Sequence, residues 1–336
     1  MKAFIINNPG EVSQLQIQEI AIPSLQIGEV LVQVKAISIN PVDVKSRAGK
    51  GVYGRIKDQS PLILGWDISG VVTESKAAQF KAGDEVFGMV NFPGHGKAYA
   101  EYVAAPASQL AIKPTTISHE EAAASTLAAL TAYQAMVHNA DVQAGQKVLV
   151  HAAAGGVGHF AVQIAKHLGA KVTGTSSARN KEFILNLGAD EHIDYTNYDW
   201  ANHPEEFDFV LDGVGGDTID KSLLVTKKGG TVISIPTGLN EAVTEKAKAK
   251  GVNGYFILVQ SNGADMQKIA SWLEKGILKA HIAATYPFDQ MADAHLQVES
   301  GRTVGKVDKT HQNDPYRPIQ KGPLCQLKVT TFAKAK

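Results

Sequence analysis

Cysteine is almost missing from this chain of 336 residues; the one present is Cys325. A single thiol excludes an intrachain disulfide and any zinc lobe built from several cysteines. Net charge is missing too, since 33 Lys and Arg balance 33 Asp and Glu, so no overall field draws the protein to nucleic acid or to an anionic membrane. No apolar run reaches the roughly 18 residues that a membrane-spanning helix needs. The opening MKAFIINNPGEV lacks the apolar core of a secretory leader, and the expected compartment is the cytoplasm.

What is present is an ordinary globular composition, 44% hydrophobic and 20% charged. The chain is longer than the roughly 250 to 300 residues at which a single core stops growing, so two domains are expected. Residues 1–120 carry β-rich runs such as 30–36, punctuated by Pro, Gly and Asp, and read as an irregular, mostly β domain. From 121 to 260, short apolar runs at 148–151, 171–175, 207–211, 231–235 and 255–259 alternate with helix-like segments, which implies an α/β domain with a doubly wound parallel sheet. Residues 261–308 offer a helix-like 265–275, a strand-like 277–286 and a helix opening at Asp289, whose carboxylate is expected to cap it. This segment is expected to return and complete the first domain. Residues 309–336, with Pro315, Pro318 and Pro323, are expected to form an extended tail.

The most informative stretch is KVLVHAAAGGVGHFAVQIAKHLGAKV. A strand-length run at 147–151 enters a turn of small residues, and Val157, Phe160, Ala161, Ile164, Ala165 and Leu168 follow at helical spacing. Small residues at such a turn let the backbone approach a pyrophosphate, and the helix start offers it free N–H groups. In the pattern G-x-G-x-x-G the three positions fall on Ala153, Gly155 and Gly158, with Gly156 added and Val157 between. A tight strand-to-helix turn without a ligand is the plain alternative; the surrounding βαβ pattern favours the dinucleotide. An NAD site normally places Asp or Glu about 20 residues on, at the end of the second strand. Here that region has no acid and instead holds Ser176, Ser177 and Arg179, so NADPH is the expected cofactor. The competing reading is that Arg179 and Lys181 only solvate the next helix.

Several motifs together carry a family resemblance: Asn40-Pro41-Val42-Asp43, Leu64-Gly65-Trp66-Asp67-Ile68-Ser69-Gly70, Gly83-Asp84-Glu85-Val86, Ala100-Glu101-Tyr102, Leu130-Thr131-Ala132-Tyr133, the loop from Ala153 to Gly158, and Asp212-Gly213-Val214-Gly215-Gly216. Over residues 1–307 the chain resembles the medium-chain dehydrogenase/reductase superfamily, in its zinc-independent NADPH:quinone oxidoreductase branch. The resemblance implies a GroES-like, mostly β substrate domain, a Rossmann domain, and an active site in the cleft between them. Zinc-dependent relatives carry Gly-His-Glu where this chain has Gly65-Trp66-Asp67, so no metal site is expected.

By the same resemblance Asn40 lies beside the nicotinamide and the substrate, its amide offered to a carbonyl oxygen, unless it is only an Asn-Pro turn residue. Thr131 meets the nicotinamide end, unless it merely lines a helix. Gly213 and Val214 border the cofactor. Tyr195 contacts the adenosine-phosphate end, unless it is a core aromatic at a strand end. Some relatives place a tyrosine five residues after the Asn; here that residue is Lys45, and Tyr53 is the nearby substitute considered for proton donation. His95, alone in a Gly-rich loop, reads as an exposed residue rather than a ligand. The sixth Rossmann strand, expected at 255–259, is the surface on which a homodimer would form.

Two functions remain at this point. One is an NADPH-dependent reductase of a small quinone or α,β-unsaturated carbonyl. The other is a nucleotide-binding interaction protein of the same fold without turnover.

Overall fold

The computed structural model describes residues 1–240 and 242–310; the expected tail lies outside them from residue 311 onward. The chain starts with a small antiparallel pair, β1 (Lys2–Ile5) and β2 (Gln16–Glu19). Next comes β3 (Glu29–Ile39), an eleven-residue strand rich in Val and Ile. Helices α1 (Pro41–Arg47) and α2 (Tyr53–Ile56) follow, then β4 (Asp67–Ser75), β5 (Glu85–Met89), β6 (Tyr102–Pro106) and β7 (Leu110–Ile112). Two helices, α3 (His119–Ala124) and α4 (Leu127–Tyr133), lead out of this part.

The α/β alternation then appears as β8 (Lys147–Val150), α5 (Gly156–His167), β9 (Lys171–Ser176), α6 (Lys181–Asn186), β10 (Glu191–Asp194), β11 (Phe207–Asp212), α7 (Asp217–Val225), β12 (Thr226–Ser234), α8 (Val243–Lys250) and β13 (Asn253–Phe256). These six strands form one parallel sheet in the order β10-β9-β8-β11-β12-β13. The chain enters at the centre on β8, winds to one edge, then returns to β11 and winds to the other. The reversal between β8 and β11 opens a crevice at their carboxyl ends, where ligands of such sheets bind.

The chain ends with α9 (Gly263–Glu274), β14 (Ile282–Pro287), α10 (Met291–Glu299) and β15 (Lys306–Thr310). β15 pairs antiparallel with β3 and parallel with β14, giving the order β14-β15-β3-β4-β5-β7, with β6 also on β3. β14 and β15 thus share a sheet with β3. No helix among the described residues is long and apolar enough to cross a membrane.

Three boundaries differ from expectation. β13 ends at Phe256, so residues 257–259 leave the sheet. β14 begins at Ile282, five residues later than the apolar run suggests. Asp289 does not cap α10, because a 3-10 turn at Phe288–Gln290 intervenes and Gln290 occupies the cap position.

β15 also carries a liability. Asp308 is wholly buried, and neither carboxylate oxygen has a hydrogen-bond partner among the described residues. Burial, with the Asp67 and Glu120 carboxylates adding to it, pushes its pKa up to about 8. The folded chain holds this proton up to about pH 8 whereas the unfolded chain releases it near 3.8, so stability falls as pH rises between those values. Asp308→Val should remove a penalty on the order of a few kcal/mol at pH 8 and raise Tm by several degrees there, with a smaller gain at pH 5. Thermal unfolding at both pH values checks this; a Tm gain that is absent, or larger at pH 5, contradicts it.

Candidate active site

β8 runs into a turn whose backbone leaves little room. Ala152 has φ +50°, and its carbonyl accepts from Gly155 N at 2.8 Å. A Cβ at Gly158 would collide with that carbonyl and stand 2.7 Å from Ala153 Cα, so only glycine fits. Alanine at the first position of the motif is tolerated for a visible reason. Its Cβ points at Gly174 of β9, where a side chain would come within 2.9 Å of it. α5 then starts at Gly156 with Gly155 as its cap, and the amides of its first turn have no intrahelical acceptor. A cradle free of side chains, ending in a helix start, fits the phosphates of a dinucleotide.

The cradle forms one side of a cleft with a cavity of ≈ 370 Å³. Across from it α1 presents Pro41, Val42 and Lys45, spaced for one helical face, and α4 presents Leu127, Ala128 and Thr131. Phe92 and residues 257–259 supply an apolar wall. The wall is pinned at its end: the Gln134 side chain exchanges hydrogen bonds with the backbone of Gln260, 2.9 and 3.0 Å, and Ser261 exchanges two with the backbone of Phe92, 2.9 and 3.4 Å. Lys45 Nζ reaches across the mouth to Thr237 O at 3.1 Å.

At the base of the cleft, buried polar groups interlock. Asn40 Nδ2 donates to Asp67 Oδ2 at 2.8 Å and to Ser38 O at 3.4 Å, while Asn40 Oδ1 accepts from the Lys306 ammonium. Lys306 Nζ also donates to Ile39 O at 3.2 Å and lies 3.9 Å from Asp67 Oδ2. Asp67 Oδ1 in turn accepts from Leu127 N, the first residue of α4, at 3.0 Å. Burial raises the Asp67 carboxyl against the pull of Lys306, and burial with the Asp67 charge pushes Asp43 up to about 7. His151 also lines the cleft, and burial brings it down to about 4, so it is neutral at physiological pH.

The cleft gathers Asn40, Thr131, Gly155, Gly156, Val157, Gly158 and Gly213 from the sequence expectations. Ala153 lies buried just behind it. Ser176, Ser177, Arg179 and Tyr195 stand further along, at the carboxyl ends of β9 and β10, where Tyr195 N donates to Ser176 O at 3.2 Å. Tyr195 is 54% exposed, so it is not a core aromatic. Ser176 is buried, its hydroxyl engaged with Ser177 O and His192, which leaves Ser177 and the exposed Arg179 as the outward-facing groups. Val214 does not line the cavity; its amide is turned to Asp212 Oδ1 at 2.9 Å.

Other expectations need correction. Tyr53 is not in the cleft: positive-φ glycines at 49 and 51 turn the chain away after α1, and its ring packs on the core of the first sheet. Thr131 lines the cleft, but its hydroxyl donates to Leu127 O at 2.7 Å. The amide of Asn40 faces inward, so direct donation to a substrate carbonyl is not what this geometry offers. His95 is a half-buried structural residue accepting from Ile63 N at 3.1 Å, and burial with the nearby Lys97 charge lowers it to about 4. Trp66, at the histidine position of the zinc motif, is buried, and its indole N–H donates to Gly94 O at 2.7 Å. The residue that sequence reasoning passed over is Lys306; the Gly305-Lys306 pair at the head of the closing strand was the available signal.

Comparison with known proteins agrees with this architecture. The description of an alcohol dehydrogenase GroES-like domain matches residues 26–115, and that of a zinc-binding dehydrogenase matches residues 187–307. The chain is 37% identical over 319 residues to a 2-methylene-furan-3-one reductase of Solanum lycopersicum, and 35% identical over the same length to an NADPH-dependent alkenal/one oxidoreductase, chloroplastic, of Arabidopsis thaliana. Each alignment spans 91% of this chain and 78% of the relative. Among solved structures, the quinone oxidoreductase of Coxiella burnetii superposes with a TM-score of 0.87 at 34% identity, covering 93% of this chain and 99% of the other.

The loop geometry yields a test. A Cβ at Gly156 would meet only Lys306 Cδ at 3.2 Å and Gly305 O at 3.5 Å, so a side chain there is compatible with folding. Gly156→Asp should thus keep its Tm within a few degrees yet weaken NADPH by ~100-fold or more, because a carboxylate then faces the phosphates. Fluorescence titration of the folded variant measures this, and unchanged affinity would remove the loop from the site.

Proposed function

The chain belongs to the medium-chain dehydrogenase/reductase superfamily, in its quinone oxidoreductase branch, and from that membership we propose that it reduces quinones or α,β-unsaturated carbonyl compounds with NADPH and without zinc. The observation that carries this reading is the cleft itself, a phosphate cradle facing an apolar wall across a cavity large enough for a small planar acceptor. In this proposal residues 121–260 are the cofactor domain, and residues 1–120 with 261–308 the acceptor domain.

NADPH, when bound, supplies the hydride. The protein's part is to hold and orient. Gly155, Gly156, Val157 and Gly158 seat the pyrophosphate against the start of α5, and Gly213 leaves room at the end of β11. Thr131 and Asn40 border the nicotinamide end as wall residues. Phe92, Val42 and residues 257–259 exclude water and stack the acceptor, so that the rate enhancement comes from proximity and a dry site rather than from a Lewis acid. Zinc independence rests on the donor set: Trp66 offers an N–H where a metal needs a lone pair, and Asp67 is engaged by Asn40, Leu127 and Lys306. The proton that completes the reduction is taken from solvent at the cleft mouth.

A nucleotide-binding protein without turnover has no observation in its favour, and relatives on both sides of the comparison carry oxidoreductase names. A homodimer formed along the open edge of β13, and a cytoplasmic location, belong to the same proposal; light scattering and cell fractionation decide them. The primary experiment is NADPH oxidation with a panel of quinones and enones, where binding without turnover of any acceptor would defeat the reductase reading.

Cofactor preference follows from Ser177 and Arg179 at the end of β9. Charge-assisted contacts there are worth roughly 1.5 to 3 kcal/mol each before solvent exposure is discounted, so NADPH should be preferred by ~10-fold or more. Arg179→Ala should weaken NADPH by about that factor and leave NADH nearly unchanged. The measurement is kcat/KM for both cofactors with one quinone; equal use by the wild type counts against the phosphate assignment.

A further inference from the structure

Lys306 lies where the phosphate loop and the start of α1 come together. Its strand meets the cofactor side through the preceding residue: Gly305 N donates to Ala154 O of the phosphate loop at 2.8 Å, while Lys306 N donates to His281 O at 2.8 Å. The junction admits no side chain at 305, where φ is +71° and a Cβ would collide with the His281 carbonyl. Its side chain belongs to the acceptor side. The stem passes Gly156, and the ammonium ends on Ile39 O and Asn40 Oδ1, beside Asp67.

Asn40 is the residue from which α1 starts, and α1 carries Pro41, Val42 and Lys45 on the cleft. The other end of α1 is fixed by Arg47, which donates to Gly10 O at 3.0 Å and to Glu299 at 2.8 Å. The first turn is closed on itself by Asn40 N donating to Asp43 Oδ2 at 2.7 Å, so the direction in which that closed turn leaves β3 is set at Asn40. A carboxamide can exchange its oxygen and nitrogen by a half turn. Here the exchange is blocked from both sides, because an ammonium only donates and a carboxylate only accepts. We propose that Lys306 is a positioning residue for the reduction: by fixing the Asn40 amide it holds the acceptor face of α1 in register with the cofactor loop. This rests on the reductase reading and adds a residue to it.

A merely structural role would be to neutralise the buried Asp67. Replacing both charges at once separates the two, since removing one partner of a buried pair strands the other whereas removing both does not. In Asp67→Asn/Lys306→Met the Gly305 bond to the loop survives, and the lock on Asn40 is lost. We expect NADPH affinity within ~3-fold of wild type, while kcat/KM for methyl vinyl ketone or benzoquinone, normalised to titrated NADPH sites, falls by ~30-fold or more. Lys306→Arg is the second variant, in case the first does not fold. It keeps a cation beside Asp67 but cannot place a compact ammonium on both acceptors, and kcat/KM should fall by ~5-fold or more at unchanged NADPH affinity. A folded variant of either kind with kcat/KM within ~2-fold of wild type overturns the proposal, as does a loss matched by an equal loss of NADPH affinity. If the wild type turns over no acceptor of the quinone and enone panel, it is the reductase reading that fails; if the wild type is active and the variants equal it, only the role of Lys306 fails.

Discussion

A buried ammonium has to be compensated, and in this chain that single requirement draws together segments far apart in sequence. Lys306 at the head of β15 needs acceptors and a counter-charge; it finds the acceptors at Ile39 and Asn40, where β3 hands over to α1, and the charge at Asp67, 3.9 Å away where β4 begins. Asp67 is itself buried and takes a further donor from Leu127 at the start of α4. The contact thus ties the closing strand, the centre of the first sheet and the helix that opens toward the parallel sheet. Buried ion pairs add little net stability against apolar replacements, but they penalise any arrangement that leaves one partner alone. The cleft inherits its shape from that penalty.

The two sides of the cleft are built on different physics. On the cofactor side the turn after β8 is defined by what is missing: Gly158 and Gly174 carry no side chains because a carbonyl and an alanine methyl already occupy the space. Asp212 closes the neighbouring turn by accepting from Val214, Gly215 and Ser234. On the acceptor side the lining is mostly hydrocarbon, and the Asn40 amide near it is turned inward to Asp67 and Ser38. Such a surface discriminates by shape and dryness, since few polar side chains face it.

Local signals in the sequence revealed the local structure. The alternation of apolar runs located the parallel sheet, and the glycine spacing located the cradle, because both reflect contacts between residues close in the chain. Partners across the fold were less visible. Nothing about Asn40 in isolation says that its amide faces Asp67 and Lys306, and proximity to Asn40 made Tyr53 attractive although two turns carry it away. The run 255–259 misled for another reason: the same apolar residue types suit an edge strand and a cleft wall, so one stretch served the partly exposed β13 and then the cavity. At Ser176 the residue type was suited to a phosphate, yet His192 on the adjacent strand had already engaged it.

The pinning of the wall beyond β13 bears on how this lineage can diversify. Gln134 and Phe92 hold the backbone at Gln260 and Ser261, so the shape of that segment is set by residues that do not themselves depend on the side chains of Ile257, Leu258 and Val259. Those three positions contribute surface to the cavity and no strand pairing to the sheet. Val259 also belongs to the hydrophobic core, whereas Ile257 and Leu258 are only partly buried against it, so substitutions at 257 and 258 disturb the core least. Drift at Ile257 and Leu258 would re-cut the cavity one methyl group at a time with the backbone of the wall still held from Gln134 and Phe92, so relatives that differ there can differ in the shape they admit without a change in fold.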